Sequence, residues 1–149
     1  MQDWRVVTDG VMGGKSTGLI SSDDQGNAVF SGNVSLENNG GFSMVRCQIG
    51  IGELPQDLSA FSLKVKGDGR EYQFRVKSDA DQRHSYGFHF STNGEWQQIL
   101  IPFHQLFPVF RGRQLDLPVY DGKNLQEVAF LTGKQPGNFE LKISSLTAD

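Results

Sequence analysis

Hydrophobic and polar residues alternate with a period of two along most of the chain. That spacing sends successive side chains to opposite sides of an extended backbone, so it predicts half-buried β-strands. In AFSLKVKG, Phe61, Leu63 and Val65 fall on one face and Ser62, Lys64 and Lys66 on the other. EYQFRVKS repeats the pattern, with Tyr72, Phe74 and Val76 inward against Gln73, Arg75 and Lys77. SYGFHFS turns Tyr86, Phe88 and Phe90 inward and Ser85, Gly87 and His89 outward, and NFELKIS turns in Phe139, Leu141 and Ile143. WRVVT, NAVFSG, NVSLE, FSMVRCQI, EWQQILI and LQEVAFLT have the composition of further strands.

Turn signals punctuate these runs at Asp68-Gly69, Asn93-Gly94, Asp121-Gly122 and Pro136-Gly137. Gly67-Asp68-Gly69 and Thr92-Asn93-Gly94 are short enough to read as hairpin loops. About nine to eleven regularly spaced strands predict an all-β domain, a sandwich or a barrel, occupying residues 1–149 as a single unit. Helix is expected only as single turns, one in PFHQLFPVF and one over residues 124–128. The least regular stretch, residues 102–123, carries Arg111 and Arg113 and is expected to be a long surface connection, where binding residues tend to sit.

Composition agrees with this picture. Eleven Phe, two Trp and three Tyr supply a large apolar payload, and eighteen Gly favour turns over long helices. A net charge of -3 with interspersed signs excludes nucleic-acid binding driven by bulk charge. No apolar run approaches the roughly 20 residues of a membrane span. The N-terminal MQDWRVVTDG has neither signal-peptide nor transit-peptide character, which predicts a cytoplasmic setting unless a targeting segment lies outside this sequence. Cys47 is the only cysteine, so no intrachain disulfide forms.

Short motifs raise enzymatic readings that the local pattern does not support. DGVMGGKSTG contains Gly14-Lys15-Ser16, the end of a phosphate-binding loop, but the loop's first glycine falls on Asp9. It also contains Gly14-Lys15-Ser16-Thr17-Gly18, a formal match to a hydrolase nucleophile elbow. Both motifs require a following helix, and TGLISSDDQGNAVFSG reads as turn and strand. A Gly-rich turn is then expected, with Gly13 or Gly14 at positive φ, Asp9 bonding loop N–H groups and Met12 making an apolar contact. GDGREY and GIGELP lack the third glycine of a dinucleotide fingerprint. His84 and His89 lie five apart on one strand and so point to opposite faces. No cofactor is expected. A structural calcium is conceivable among Asp9, Asp23, Asp24, Asp57 and Asp121, but no spacing selects a ligand set.

Arg46, Arg75 and His89 interrupt otherwise apolar strands. Half-exposed antiparallel sheets normally carry such residues on a wetted outer face. The alternative is a shallow groove for a sugar, an anion or a protein segment, capped by Arg111 and Arg113.

The segments DGVMGGKSTG, FSGNVSLENNGGFSMVR, KGDGREYQFRV and GEWQQILIPFHQLFPVFRGR, in this order, resemble the complex I intermediate-associated protein 30 domain family over residues 4–145. The resemblance implies a galactose-binding-like jelly-roll β-sandwich, with no catalytic residues. It also implies a chaperone-like role in assembling a respiratory complex. The leading expectation is therefore a non-catalytic module that binds a protein client, such as a respiratory-complex subunit or assembly intermediate. Its candidate surface comprises Asp9, Met12, Lys15, Ser16, Arg46, Arg75, His89, Arg111 and Arg113. The alternative is a sugar binder using Trp96, Tyr72, Tyr86, Arg75 and His89 as its platform. A nucleotide- or dinucleotide-dependent enzyme stands third.

Overall fold

The computed structural model describes residues 4–8, 14–37, 41–79 and 81–149. Twelve strands run through them: β1 (Trp4–Thr8), β2 (Thr17–Ser22), β3 (Ala28–Val34), β4 (Phe42–Glu53), β5 (Ala60–Lys66), β6 (Glu71–Lys77), β7 (Ser85–Ser91), β8 (Trp96–Pro102), β9 (Phe107–Phe110), β10 (Arg113–Gln114), β11 (Asn124–Gly133) and β12 (Gly137–Ala148). A 3-10 turn lies at Phe103–Gln105. The strands form two antiparallel sheets. One has seven strands in the order β1-β4-β11-β6-β7-β9-β10, and the other has five in the order β2-β3-β12-β5-β8.

The alternating pattern is what holds the two sheets together. The inward positions of β5, β6 and β12 meet in a core where Phe61, Leu63, Val65, Tyr72, Phe74, Val76, Phe139 and Leu141 are buried. Phe61 sits at its centre, with ring centroids 5.7 Å from Phe74 and 4.9 Å from Phe103. Burying a side chain of this size removes enough apolar surface from water to stabilise the fold by about 1.5–3 kcal/mol.

Several expectations change here. The glycine loops at 67–69 and 92–94 are not hairpins. Each joins a strand of one sheet to a strand of the other, β5 to β6 and β7 to β8. Period-two alternation fixes which face of a strand is apolar but not which strand lies beside it, and an arch between sheets needs the same left-handed turn residues as a hairpin. Gly69 and Gly94 supply them, at φ 91° and 85°. The two arches lock together: Thr92 N–H and its hydroxyl both donate to Arg70 O, at 3.1 and 2.7 Å, and Gly69 N–H donates to the Thr92 hydroxyl at 3.0 Å. A Cβ on Gly67 would lie 2.3 Å from Thr92, so only glycine lets the arches approach this closely.

Residues 124–128 form the start of β11 rather than a helical turn, because Leu125 and Val128 fill the core from between β4 and β6. The candidate runs over 27–32 and 33–37 merge into β3, and β2 is an additional strand beside it. The irregular stretch also carries structure. After the 3-10 turn, β9 and β10 form a two-residue hairpin at the edge of the seven-stranded sheet. Pro108 obscures this in the sequence, since proline demotes a strand reading. Buried Tyr120 ties the return path down, with its N–H donating to Leu106 O at 3.0 Å and its hydroxyl to Asn124 O at 2.6 Å.

Candidate functional site: a cationic groove on the seven-stranded sheet

The outward side chains of the seven-stranded sheet line up in rows set by strand register. Arg46 of β4, Ala129 of β11, Arg75 of β6 and Gly87 of β7 are successive partners in one row. Gln48, Glu127 and Lys77 form a second, and Met44, Leu131, Gln73 and His89 a third. Small residues on either side of Arg75 leave a depression in the face. The resulting groove has a volume of about 200 Å³, is floored by Ala129, and is bordered by Arg83, Ser85, Val109 and the β9–β10 hairpin.

The two central arginines are in opposite electrostatic states. Arg46 is neutralised: its Nε and Nη2 donate to Glu127 Oε1 at 3.1 and 2.6 Å, and Gln48 Nε2 donates to the same oxygen at 2.6 Å. Glu127 is buried, so this charge-assisted contact fixes the Arg46 side chain across the strand pair. Arg75 has no such partner. Its Nε donates to Gln73 Oε1, a neutral acceptor. The Gln73 amide nitrogen can only donate, so its 2.9 Å contact makes His89 Nε2 the acceptor and locks Gln73 in place. Burial pushes the Arg75 guanidinium down to about 10, because the charged form is partly stripped of water with no anion in return.

The rim adds further cations. Arg46, Arg75, Lys77, Arg83 and Arg111 line the groove against the single carboxylate of Glu127, on a chain whose net charge is -3. Among the described residues the ion pairs are Arg46–Glu127 and Lys142–Asp23, so Arg75, Lys77, Arg83 and Arg111 all lack an acidic partner. Arg111 is held by the hairpin in an unusual conformation. Arg111 and Gly112 have φ 53° and 77°, the signature of a type I′ turn, whose first position normally takes Asn, Asp or Gly. The Arg111 guanidinium lies 5.2 Å from the centre of the Phe110 ring.

The structure thus brings Arg46, Arg75 and Arg111 of the candidate surface together, while His89 is exposed outside the lining and touches Gln73 rather than Arg75. It separates the others. Arg113 is exposed on β10, outside the groove lining. Lys15 is exposed just before β2, in the opposite sheet. Ser16 is buried rather than exposed. Its hydroxyl accepts from Ser35 N–H at 2.9 Å and donates to Ser35 O at 3.3 Å, joining the chain before β2 to the chain after β3. A strand, not a helix, follows it. Asp9, Met12 and Gly13 lie outside the described residues, and with them the expected turn geometry.

Lys77, Arg83, Phe110 and Glu127 were not singled out from the sequence. The available signal was the outward position of Lys77 in EYQFRVKS, but only the pairing of β6 with β11 puts it opposite Glu127.

The sugar platform is not assembled. Tyr72 is a core residue, and Tyr86 packs against Tyr120 at 5.3 Å. Trp96 lies on the other sheet from Arg75 and His89, with Lys64 Nζ 5.9 Å from its ring centre. Nor do three His, Cys, Asp or Glu side chains come together in metal-binding fashion among the described residues. The Asp23 carboxylate instead closes its own turn, accepting from Gln25 N–H, Asn27 N–H and the Asn27 amide, each at 2.9 Å. A larger depression of about 500 Å³ opens between the sheets beside Trp4, Ile51 and Leu146; it is walled chiefly by core side chains and has no comparable cluster of charge.

Two antiparallel sheets packed in this way define a galactose-binding-like jelly-roll β-sandwich, of the kind seen in carbohydrate-binding modules. A family 11 carbohydrate-binding module from a cellulosomal cellulase of Clostridium thermocellum superposes with a TM-score of 0.66, covering 96% of this chain and 88% of that one. At 18% identity the likeness is one of fold. The chain belongs to the complex I intermediate-associated protein 30 family, whose sequence profile matches residues 1–143. A probable complex I intermediate-associated protein 30, mitochondrial, of Caenorhabditis elegans is 32% identical over 69% of this chain, and this chain spans 36% of that protein. An uncharacterized protein of Schizosaccharomyces pombe is 28% identical over 99% of this chain and 78% of its own length. The nematode relative is named as mitochondrial, so it lends no support to a cytoplasmic setting.

Proposed function

We propose that this chain is a non-catalytic binding module of the assembly type, which holds a protein client against the outer face of its seven-stranded sheet. The observation that carries the reading is the groove. It is a preformed depression on a rigid sheet, lined by fixed cations and apolar side chains. Sites on strands hold their geometry better than sites on loops, and a binding module needs a surface that is complementary before the partner arrives. The family and the name of the nematode relative support a client of the respiratory-complex kind, either a subunit or a partly assembled intermediate. A chaperone-like action would consist of covering the client's docking surface until its permanent partner replaces this chain.

Photo-crosslinking tests the reading. A photoreactive amino acid at Ser85, in the groove, is expected to capture the same client in every preparation. The same group at Leu100, exposed on the opposite sheet, is expected to leave that client free. Equal capture from both positions, or capture from Leu100 alone, would remove the groove from the account.

A further inference from the structure

We infer that the groove is built to receive an acidic peptide segment, with Arg75 as the anchor for one of its carboxylates. The inference rests on the proposal that the groove docks a protein client and adds the chemistry that the docking segment must have. A guanidinium drawn out of water is normally matched by a carboxylate, because the desolvation penalty otherwise goes uncompensated. Arg46 obeys that rule through Glu127. Arg75, in the same register row on the far side of Ala129, does not, and only the neutral amide of Gln73 meets it. Its Nε is occupied by Gln73 and the residue lines the groove, which leaves the fork of its two terminal nitrogens for a ligand. That fork matches a carboxylate in bidentate geometry.

The surroundings select among anions. Lys77, Arg83 and Arg111 ring the same space without acidic partners, so more than one negative charge is accommodated. Met44, Val109, Phe110 and Ala129 lie between these cations, so apolar side chains are accommodated as well. A free phosphate would leave most of a groove of about 200 Å³ empty and would touch none of that apolar lining. Nucleic acid would call for exposed aromatic faces or a long basic track. The Phe110 face is already covered by Arg111, and the chain as a whole carries a net charge of -3. A segment mixing Asp or Glu with apolar residues satisfies both parts of the lining.

Fluorescence anisotropy on the full chain, with a labelled peptide of alternating glutamate and leucine, provides the test. Binding is expected to weaken at least tenfold between 50 and 500 mM NaCl and at least tenfold in Arg75→Met. Arg113→Met, outside the groove, is expected to bind as the wild type does. The glutamine–leucine counterpart is expected to bind at least tenfold more weakly than the acidic peptide. Should Arg75→Met fail to fold, Arg111→Met, altered on the exposed hairpin, is expected to lose affinity severalfold. Equal binding of the glutamine peptide, or affinity insensitive to both arginine changes, overturns the inference. So does displacement of the peptide by inorganic phosphate at micromolar concentration, which would make this a small-oxyanion site. If the acidic peptide does not bind but Ser85 crosslinking still captures the client, the charge inference fails and the docking reading stands. If Ser85 captures nothing either, both fail.

Discussion

The two outward faces of this sandwich come from the same alternating pattern yet settle their polar groups in different ways. On the five-stranded sheet, cross-strand neighbours satisfy one another. Asn33 and Asn138 are bonded at 2.9 Å, Gln98 donates to Ser62 at 2.5 Å, Lys64 lies over Trp96, and Lys142 reaches Asp23 at 3.8 Å. On the seven-stranded sheet only half of the central charge is settled: Arg46 has Glu127, while Arg75 has an amide. The difference lies in small residues and a carboxylate already engaged. Ala129 and Gly87 on either side of Arg75 open the face, and the carboxylate diagonal to it, Glu127, is taken by Arg46 and Gln48. A surface complete within itself is a wall. A surface with a fixed, unanswered cation has a charge left to offer, and the proposed docking reading rests on that difference.

The strongest way to break this contrast is to remove the partner of Arg46 in one variant and Arg75 itself in another. Glu127→Ala would strand Arg46 beside a buried vacancy, and a loss of about 2 kcal/mol is expected in urea unfolding, less than for a fully buried pair because the Arg46 side chain is 32% exposed. Arg75→Met should cost nothing within about 1 kcal/mol, or should stabilise, since it replaces a desolvated unpaired charge with an apolar side chain. Equal losses in the two variants would mean that Arg75 is held by the fold just as Arg46 is.

A smaller effect with two opposite signs is expected at the hairpin. Arg111→Asn puts the preferred residue at the first position of the type I′ turn and should stabilise by roughly 0.5 kcal/mol. The same change should weaken acidic-peptide binding severalfold, because it removes a rim cation. A variant that loses stability and keeps affinity would contradict both halves.

On the five-stranded face, Leu100→Lys should change stability by no more than about 0.5 kcal/mol and leave peptide binding untouched. Asp23 gives the smallest signal and a pH signature. The Asn27 side-chain bond, and after it the Asn27 backbone bond, holds its carboxyl below the ordinary 3.8. Because the folded-state value is the lower one, the stabilisation is present above 3.8 and disappears as pH falls through the folded value. The stability difference between wild type and Asp23→Asn should therefore be measurable at pH 7 and vanish toward pH 2. A difference that persists unchanged at low pH would assign it to packing.

The alternation in AFSLKVKG, EYQFRVKS and NFELKIS was enough to place their strands and the core residues of each. It could not say that β5 and β6 belong to different sheets, because the arch at Gly67–Gly69 uses the chemistry of a hairpin. The site was legible in fragments for the same reason. Arg46 and Arg75 stand out as charges on apolar strands, but they become neighbours only through β11, which pairs with both β4 and β6. Lys77 and Arg83 look like ordinary surface cations until the fold brings both to the rim of one groove. Ser16 misled in the other direction, since a hydroxyl in a Gly-rich run advertises chemistry although its bonds go to the Ser35 backbone.

The most direct measurement is a paired one on Arg75→Met: anisotropy with the acidic peptide, and urea unfolding of the same preparation. An unchanged or higher unfolding midpoint together with an affinity at least tenfold weaker is the predicted result. A lowered midpoint with the wild-type affinity would contradict it, and would make Arg75 a structural residue of a wetted sheet.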